Sequence, residues 1–307
     1  MGEFDPPGRP AGRTAERRRR RWFVLGAVTA AAVLLGAVGV APQLGVERPS
    51  TSGSAAKGEG TVVPAASEML TAAQIAELPE ARYNTVIAGL IPYTNASVPA
   101  ASAAAYTISE DVPIYSAARA PVARFAFTNF SNRPTVIVPV RIEGAWALVM
   151  TPARQVLPSQ ANGAAPAQTA GWVRTSVLRK VTELRERIVL SVGEQKLSIE
   201  TLAGHVQESF GVGVGTATTP TPTGVTGYLQ ERYLDPKQGE STYPINLTSL
   251  HSASQDEPFQ GEDGGLIGIH YFPVHSGSVS HGCIRLPEDA IKSVNALPLG
   301  TSITIVP

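Results

Sequence analysis

Apolar and polar residues alternate in short runs along most of this chain, and helical periodicity is confined to a few places. Between residues 108 and 181 the β-prone runs fall at 112–115, 124–128, 135–143, 145–150 and 171–177, with a long Ala, Pro and Gln-rich loop at 155–169. The runs at 135–143 and 145–150 meet at Glu143-Gly144, which predicts a tight hairpin turn. Several short strands punctuated by Gly and Pro predict a small β-barrel. Further on, residues 188–192 and 197–199 alternate around Gly193-Glu194 as a hairpin with one buried face. Residues 206–214 predict another strand, 266–270 an apolar strand ending in His270, and 302–306 a closing strand. Pro287 opens a short helix carrying Asp289, Ala290, Ile291 and Val294. The expected fold class is mostly β, with two β domains in series at residues 108–181 and 187–307.

Upstream the pattern changes. Thr71 predicts the cap of a short helix stopped by Pro79, residues 83–93 fit a short helix or a strand equally, and 94–105 has linker composition. Residues 42–107 as a whole are therefore expected to be a linker with short helices. Residues 22–41 are twenty positions without a charge, directly after five consecutive arginines, Arg17 to Arg21. At 1.5 Å per residue such a helix spans about 30 Å, the thickness of a bilayer's hydrocarbon core. A cleaved signal peptide is the alternative, but its apolar region is usually about 7–15 residues long. Here the run is longer, and Pro42 follows Ala41, the best candidate cleavage point. The expectation is an uncleaved transmembrane signal anchor at 22–41, a cytoplasmic basic tail at 1–21, and everything beyond it outside the cytoplasm.

Composition narrows the classes further. The 307 residues allow two modest domains with extensions. With 25 basic and 25 acidic side chains the formal charge is zero, so no chain-wide field points to nucleic acid. The single cysteine, Cys283, has no intramolecular disulfide partner, so in an exported protein it is a thiol that needs an explanation.

Residues 264–287 supply one. His270, His275 and His281 all lie within thirteen residues of Cys283, and Arg285 stands two places beyond it. The thiolate is the nucleophilic form, and neighbouring cations favour it. His270, at the end of a strand, would be held on a rigid element as a base suited to pairing with Cys283. His281 would orient the Cys283 loop. Gly282 permits close approach of backbone to substrate, the N–H groups of Gly282 and Cys283 are candidate oxyanion donors, and Arg285 can grip a carboxylate in bidentate fashion. Zinc held by His270, His281 and Cys283 is the rival reading. No common zinc spacing is present, since Pro273 interrupts His270 to His275 and a Cys pair is lacking. Gly211-x-Gly213-x-Gly215 lacks the spacing and the following helix of a nucleotide fingerprint.

Ser280-His281-Gly282-Cys283-Ile284-Arg285, preceded by Ile267-Gly268-Ile269 ending in His270, resembles the active-site signature of the YkuD-type L,D-transpeptidases, which cross-link bacterial peptidoglycan. Thr219-Pro220-Thr221-Pro222-Thr223-Gly224 is similar to a second feature of that family. The resemblance extends over residues 187–307. It implies that Cys283 attacks the third, L-centred link of a tetrapeptide donor stem, expels D-alanine and forms a thioester. The side-chain amine of a diamino acid in an acceptor stem then resolves it as a 3→3 cross-link, with no cofactor and no metal. If water resolves the thioester, the same site is an L,D-carboxypeptidase. The resemblance further implies His270 as base, Ser280 and Arg285 toward substrate, carbapenems as covalent inhibitors, and a catalytic domain at the cell wall. Nine residues separate His270 from Ser280, fewer than the family usually has, which keeps His275 as an alternative base. In the region before it, Gly171-Trp172-Val173 is similar to the closing strand of bacterial SH3-like domains, so 108–181 reads as a wall-binding module or as a spacer. A non-catalytic wall-binding anchor protein is the reading from a different class, and an inert Cys283 would favour it.

Overall fold

A computed structural model describes residues 70–94, 101–236, 240–258 and 264–307. The apolar run at 22–41 and the arginines before it lie outside the described residues. Among the described residues no helix is long and apolar enough to cross a membrane.

The first helix, α1 (Ala72–Ala76), starts at Thr71 because a full capping box closes it: Gln74 N–H donates to Thr71 Oγ1 at 3.3 Å, and Thr71 N–H donates to Gln74 Oε1 at 2.8 Å. The chain then departs from linker behaviour. Ala81, Ile87 and Leu90 are buried in one cluster with Ile108, Ile114, Phe125, Val149 and Val173. Residues 81–92, expected as part of a linker, therefore belong to the first β domain, because leaving three apolar side chains exposed would forgo their burial.

That domain contains β1 (Ile91–Pro92), β2 (Ala104–Thr107), β3 (Val112–Tyr115), β4 (Pro121–Phe125), β5 (Pro139–Glu143), β6 (Trp146–Thr151), β7 (Thr169–Arg174) and β8 (Arg179–Glu183). A six-stranded sheet runs β4-β3-β7-β6-β5 with β1 also on β7, and β2 pairs with β8 as a separate ribbon. Gly144, at φ +57°, turns β5 into β6 with Glu143 opposite Trp146, which is the hairpin the sequence predicts.

The second sheet has ten strands. It contains β9 (Glu186–Ser191), β10 (Lys196–Thr201), β11 (Val206–Gly211), β12 (Gly213–Gly215), β13 (Val225–Asp235), β14 (Glu240–His251), β15 (Leu266–Tyr271), β16 (Gly277–Ser280), β17 (Ile284–Leu286) and β18 (Ser302–Val306). Their order is β11-β10-β9-β18-β13-β14-β15-β17-β12-β16. Helix α2 (Glu288–Ala296) buries Ala290, Ile291 and Val294 in the core that Ile188, Leu190, Ile269, Ile284 and Ile303 share. The single strand expected at 206–214 is two, since β11 pairs with β10 whereas β12 pairs with β16 and β17.

The longest strands, β13 and β14, bury polar side chains, which hides them from an alternation pattern. Gln230, Glu231, Thr248, Ser249 and His251 are all buried. Hydrogen bonds to neighbouring segments satisfy them: Gln230 donates to Thr248 O at 2.6 Å, Thr248 to Ile267 O at 2.6 Å, and Ser249 to Gln168 Oε1 at 2.6 Å.

Both sheets lie in one compact unit, residues 63–307, and pack on each other. Tyr228 of β13 is buried against Val138 and Met150, and Ile245, Leu247 and Leu266 meet Tyr83 and Phe130. Glu231, fully buried, receives Arg133 at 2.9 Å and Asn129 Nδ2 at 2.6 Å from the first domain.

Candidate active site

Strands β15 and β17 run parallel, with Ile269 opposite Ile284 and His270 opposite Arg285. Ile269 and Ile284 point into the core, so His270 and Arg285 take the other face, and so do Gly268 and Cys283, two positions back on each chain. That register sets the position of the Cys283 sulfur. The N–H of Gly268 donates to Cys283 Sγ at 3.4 Å, and Sγ stands 3.9 Å from Leu266 O. A Cβ at position 268 would stand 3.7 Å from Sγ, so Gly268 leaves the thiol its place against the strand.

The turn before β17 is held from two sides. From within, Ser280 Oγ accepts Gly282 N–H at 3.2 Å and donates to Cys283 O at 2.5 Å. From outside, Thr219 Oγ1 donates to Ser280 O at 3.2 Å, Thr221 Oγ1 donates to Gly282 O at 2.8 Å and accepts Gly215 N–H at 2.9 Å, and Thr216 N–H donates to Ser280 O at 3.0 Å. The 219–224 loop is therefore a clamp on the cysteine turn. Gly282 has φ +117°, a backbone that a side chain disfavours, and a Cβ there would meet Ile267 Cδ1 at 3.1 Å. Gly215 is required by the same loop, because a Cβ on it would lie 2.2 Å from Thr219 O.

His270 is half-buried, and its Nδ1 lies 3.0 Å from Tyr271 O. A carbonyl can only accept, so Nδ1 carries the proton and the neutral ring keeps its lone pair on Nε2. Two residues advance a strand by about 6.6 Å, so His270 stands within side-chain reach of the sulfur beside Gly268. His275 is fixed in a similar way, Nδ1 to Phe272 O at 3.0 Å, but it sits in the loop between β15 and β16, with its backbone against Gly213 of β12. His281 is exposed. The Arg285 guanidinium lies over the Phe272 ring at 4.1 Å, and its Nε is enclosed without a hydrogen-bond partner.

Two expectations change. Ser280, expected against substrate, is 2% exposed with its hydroxyl engaged on both sides within the turn, so its side chain braces the turn that carries Cys283. The Gly282 N–H, expected as an oxyanion donor, is directed at Ser280 Oγ, which leaves the N–H of Cys283 as the candidate from this turn. The hydroxyls of Thr219 and Thr221 hold the cysteine turn, a part that residue-by-residue reading does not assign to them. Their only signal is the Thr-Pro-Thr-Pro-Thr-Gly run itself. Among the described residues, no three His, Cys, Asp or Glu side chains converge as a metal-binding set.

Residues 185–305 match the family model of the L,D-transpeptidase catalytic domain, YkuD. No curated protein matches the chain. Among solved structures, the chain is similar to an L,D-transpeptidase from Mycobacterium smegmatis, with 14% identity over 56% of this chain and 99% of that one and a TM-score of 0.33. It is similar to L,D-transpeptidase 1 of Mycobacterium tuberculosis, with 16% identity, coverage of 45% and 78%, and a TM-score of 0.30. L,D-transpeptidase 3 of the same organism, in complex with a faropenem-derived adduct, gives 14% identity, coverage of 73% and 100%, and a TM-score of 0.34.

Proposed function

We propose, from the premise that this chain carries a YkuD L,D-transpeptidase catalytic domain at residues 185–305, that Cys283 is the nucleophile of an enzyme forming 3→3 cross-links between peptidoglycan stems. The observation that carries this reading is the placement of Cys283 Sγ, held at 3.4 Å by the Gly268 N–H on the face that His270 shares. In the first half-reaction Sγ forms a bond to the carbonyl carbon of the third residue of a donor tetrapeptide. The thiol proton passes to Nε2 of His270, the tautomer that Tyr271 O selects. The tetrahedral oxyanion is met by the Cys283 N–H. Collapse breaks the bond to D-alanine, whose nitrogen takes the proton from His270, and a thioester remains. In the second half-reaction the side-chain amine of an acceptor stem attacks the thioester, gives its proton to His270 and then to sulfur, and leaves a new amide and free Cys283. Water in place of the amine gives the L,D-carboxypeptidase outcome. Arg285, two residues beyond the nucleophile on the same face, takes a substrate carboxylate, and the thioester chemistry makes Cys283 the residue that carbapenems acylate.

Residues 22–41 anchor the chain in the membrane with Arg17 to Arg21 on the cytoplasmic side, so that catalysis occurs outside at the wall. The first β domain is an SH3-like module that sits on, or spaces the catalytic domain from, that polymer.

Intact-mass spectrometry of the protein with a disaccharide-tetrapeptide tests the mechanism. The expected result is a Cys283 adduct lacking D-alanine, with free D-alanine in solution and neither seen with Cys283→Ala. Normal turnover by that variant would overturn the reading.

A further inference from the structure

The outward face of the first sheet carries an arrangement that the thiol chemistry does not use. Ile114, Ala147, Val149 and Val173 of β3, β6 and β7 point into the core. On the opposite face the register aligns Tyr115, Trp172 and Leu148 in one row and Arg174, Trp146 and Glu143 in another. Three guanidiniums lie on the two indoles. Arg119 is 3.5 Å from the Trp172 centroid and 4.8 Å from that of Trp146, Arg174 is 3.8 Å from Trp146, and Arg141 is 5.1 Å from Trp172. Tyr115 meets Trp146 edge-on at 5.0 Å.

The charge on this face does not balance. Glu143 is its one carboxylate among the described residues, shared by Arg119 at 3.3 Å and Arg141 at 3.0 Å. Arg174 has no ion-pair partner among the described residues, and Nη1 of Arg119 is enclosed without a hydrogen-bond partner. Desolvation lowers the Arg119 pKa from its ordinary value, Glu143 opposes this, and the charges of Arg141 and Arg174 add to the lowering, while the guanidinium stays charged. The backbone also bears a cost here. Arg119 has φ +62°, in a β3–β4 turn closed by Ser116 N–H to Ala120 O at 2.8 Å and Arg119 N–H to Ser116 O at 3.0 Å. Covering a tryptophan needs one guanidinium. Gathering three with one carboxylate, one of them on a left-handed backbone, leaves surplus positive charge that an anion would relieve.

We propose that this face is a binding site for a peptide chain bearing several carboxylates. Arg119, Arg141 and Arg174 take the carboxylates through the planar fork of the guanidinium, and Trp146 with Tyr115 supplies flat apolar contact. On the catalytic reading given above, the stem peptides of peptidoglycan are such a chain, and the site holds the enzyme to its polymer at a surface separate from Cys283.

Trp146 and Trp172 are two of the chain's three tryptophans, so intrinsic fluorescence reports on the site. Full-length Cys283→Ala, which leaves the ligand unprocessed, is titrated with a disaccharide-tetrapeptide whose carboxylates are free and with its amidated form. The expected result is a saturable change, with Kd at least tenfold weaker for the amidated ligand and for the added pair Arg119→Gly and Arg174→Gln. Arg119→Gly suits the left-handed backbone, so the fold is retained, and unchanged thermal melting verifies this. An absent change, or an equal one in the double variant, overturns the proposal. Tighter binding of a poly(glycerol phosphate) chain than of the tetrapeptide overturns the carboxylate assignment. Intact mass of the wild-type protein is read in parallel. Binding without acylation sinks the transpeptidase mechanism and leaves this site standing, whereas acylation without the fluorescence change does the reverse.

Discussion

The hydroxyl of Thr221 donates to the carbonyl of Gly282 at 2.8 Å while accepting the N–H of Gly215 at 2.9 Å, and this one side chain ties the threonine-proline loop to the turn that presents Cys283. All three groups are buried. Replacing Thr221 by the isosteric Val would leave a donor and an acceptor unpaired inside the protein, at a cost of about 1–3 kcal/mol. The turn would also loosen, and catalysis is sensitive to small misplacements of a nucleophile. Thr221→Val should lower the urea midpoint and slow acylation of Cys283 about tenfold, while Thr221→Ser, which keeps the hydroxyl, should recover most of both. Equal behaviour of the two variants would show that the clamp does not position the thiol.

The choice of base rests on which strand the sulfur lies against. Sγ is held on β15 beside Gly268, and His270 is two residues along the same face of that strand. His275 occupies the loop after it. His270→Ala should slow tetrapeptide acylation about 100-fold or more, the usual scale for a general base, and slow iodoacetamide labelling of Cys283 at neutral pH. His275→Ala should do so only modestly. The reverse pattern in the labelling rates would move the assignment to His275.

Legibility from sequence followed the range over which each feature is determined. The strand Val112–Tyr115, the Glu143-Gly144 hairpin and the closing strand Ser302–Val306 follow from local alternation and turn chemistry, and they stand where the pattern puts them. Cys283 and His270 draw attention because unusual residue types cluster within a short stretch. What stayed hidden depends on distant partners. The Thr-Pro-Thr-Pro-Thr-Gly run marks its own loop, but that Thr219 and Thr221 reach carbonyls 61 positions away is visible only in the fold. Strands β13 and β14 bury Gln230, Glu231, Thr248 and Ser249, polar residues that only the surrounding hydrogen bonds make compatible with a core. The packing of residues 81–90 into the first domain was hidden for a related reason, since isolated apolar residues in a turn-rich stretch carry no period.

Glu231 makes the contact between the two sheets testable. Its carboxylate is fully buried, while the Arg133 guanidinium that reaches it at 2.9 Å is 52% exposed. Solvent screens the cation but not the anion, so removing Arg133 leaves a buried charge with Asn129 as a remaining donor. Arg133→Ala should cost about 1–3 kcal/mol in chemical denaturation. Pairing it with Glu231→Gln should restore part of that loss, because an amide carries no charge to desolvate. Additive losses in the double variant would mean that the two side chains do not interact energetically.

His251 gives the protein a further contact between its two β domains and a defined pH dependence. Its ring is 1% exposed and its Nε2 lies 2.8 Å from Tyr83 O, so the neutral imidazole donates across the domain contact. Burial, and then the charge of Arg154, push its pKa down to about 3, against a smaller opposing effect of the Tyr83 carbonyl. Above pH 6.5 the ring is neutral in both folded and unfolded chains and stability does not depend on it. As pH falls below 6.5 the unfolded chain takes up a proton that the folded one refuses, so stability is lost progressively until about pH 3, at about 1.4 kcal/mol per pH unit. Asp256, Glu183 and Glu288, whose carboxyls lie below their ordinary range, lose their contributions only nearer pH 4. Between pH 7 and 5 the wild-type protein should lose about 2 kcal/mol in urea unfolding. His251→Gln, which keeps a donor for Tyr83 O without a titrating group, should flatten that slope even if it starts from a lower stability. An unchanged slope in this variant would place the titrating group elsewhere.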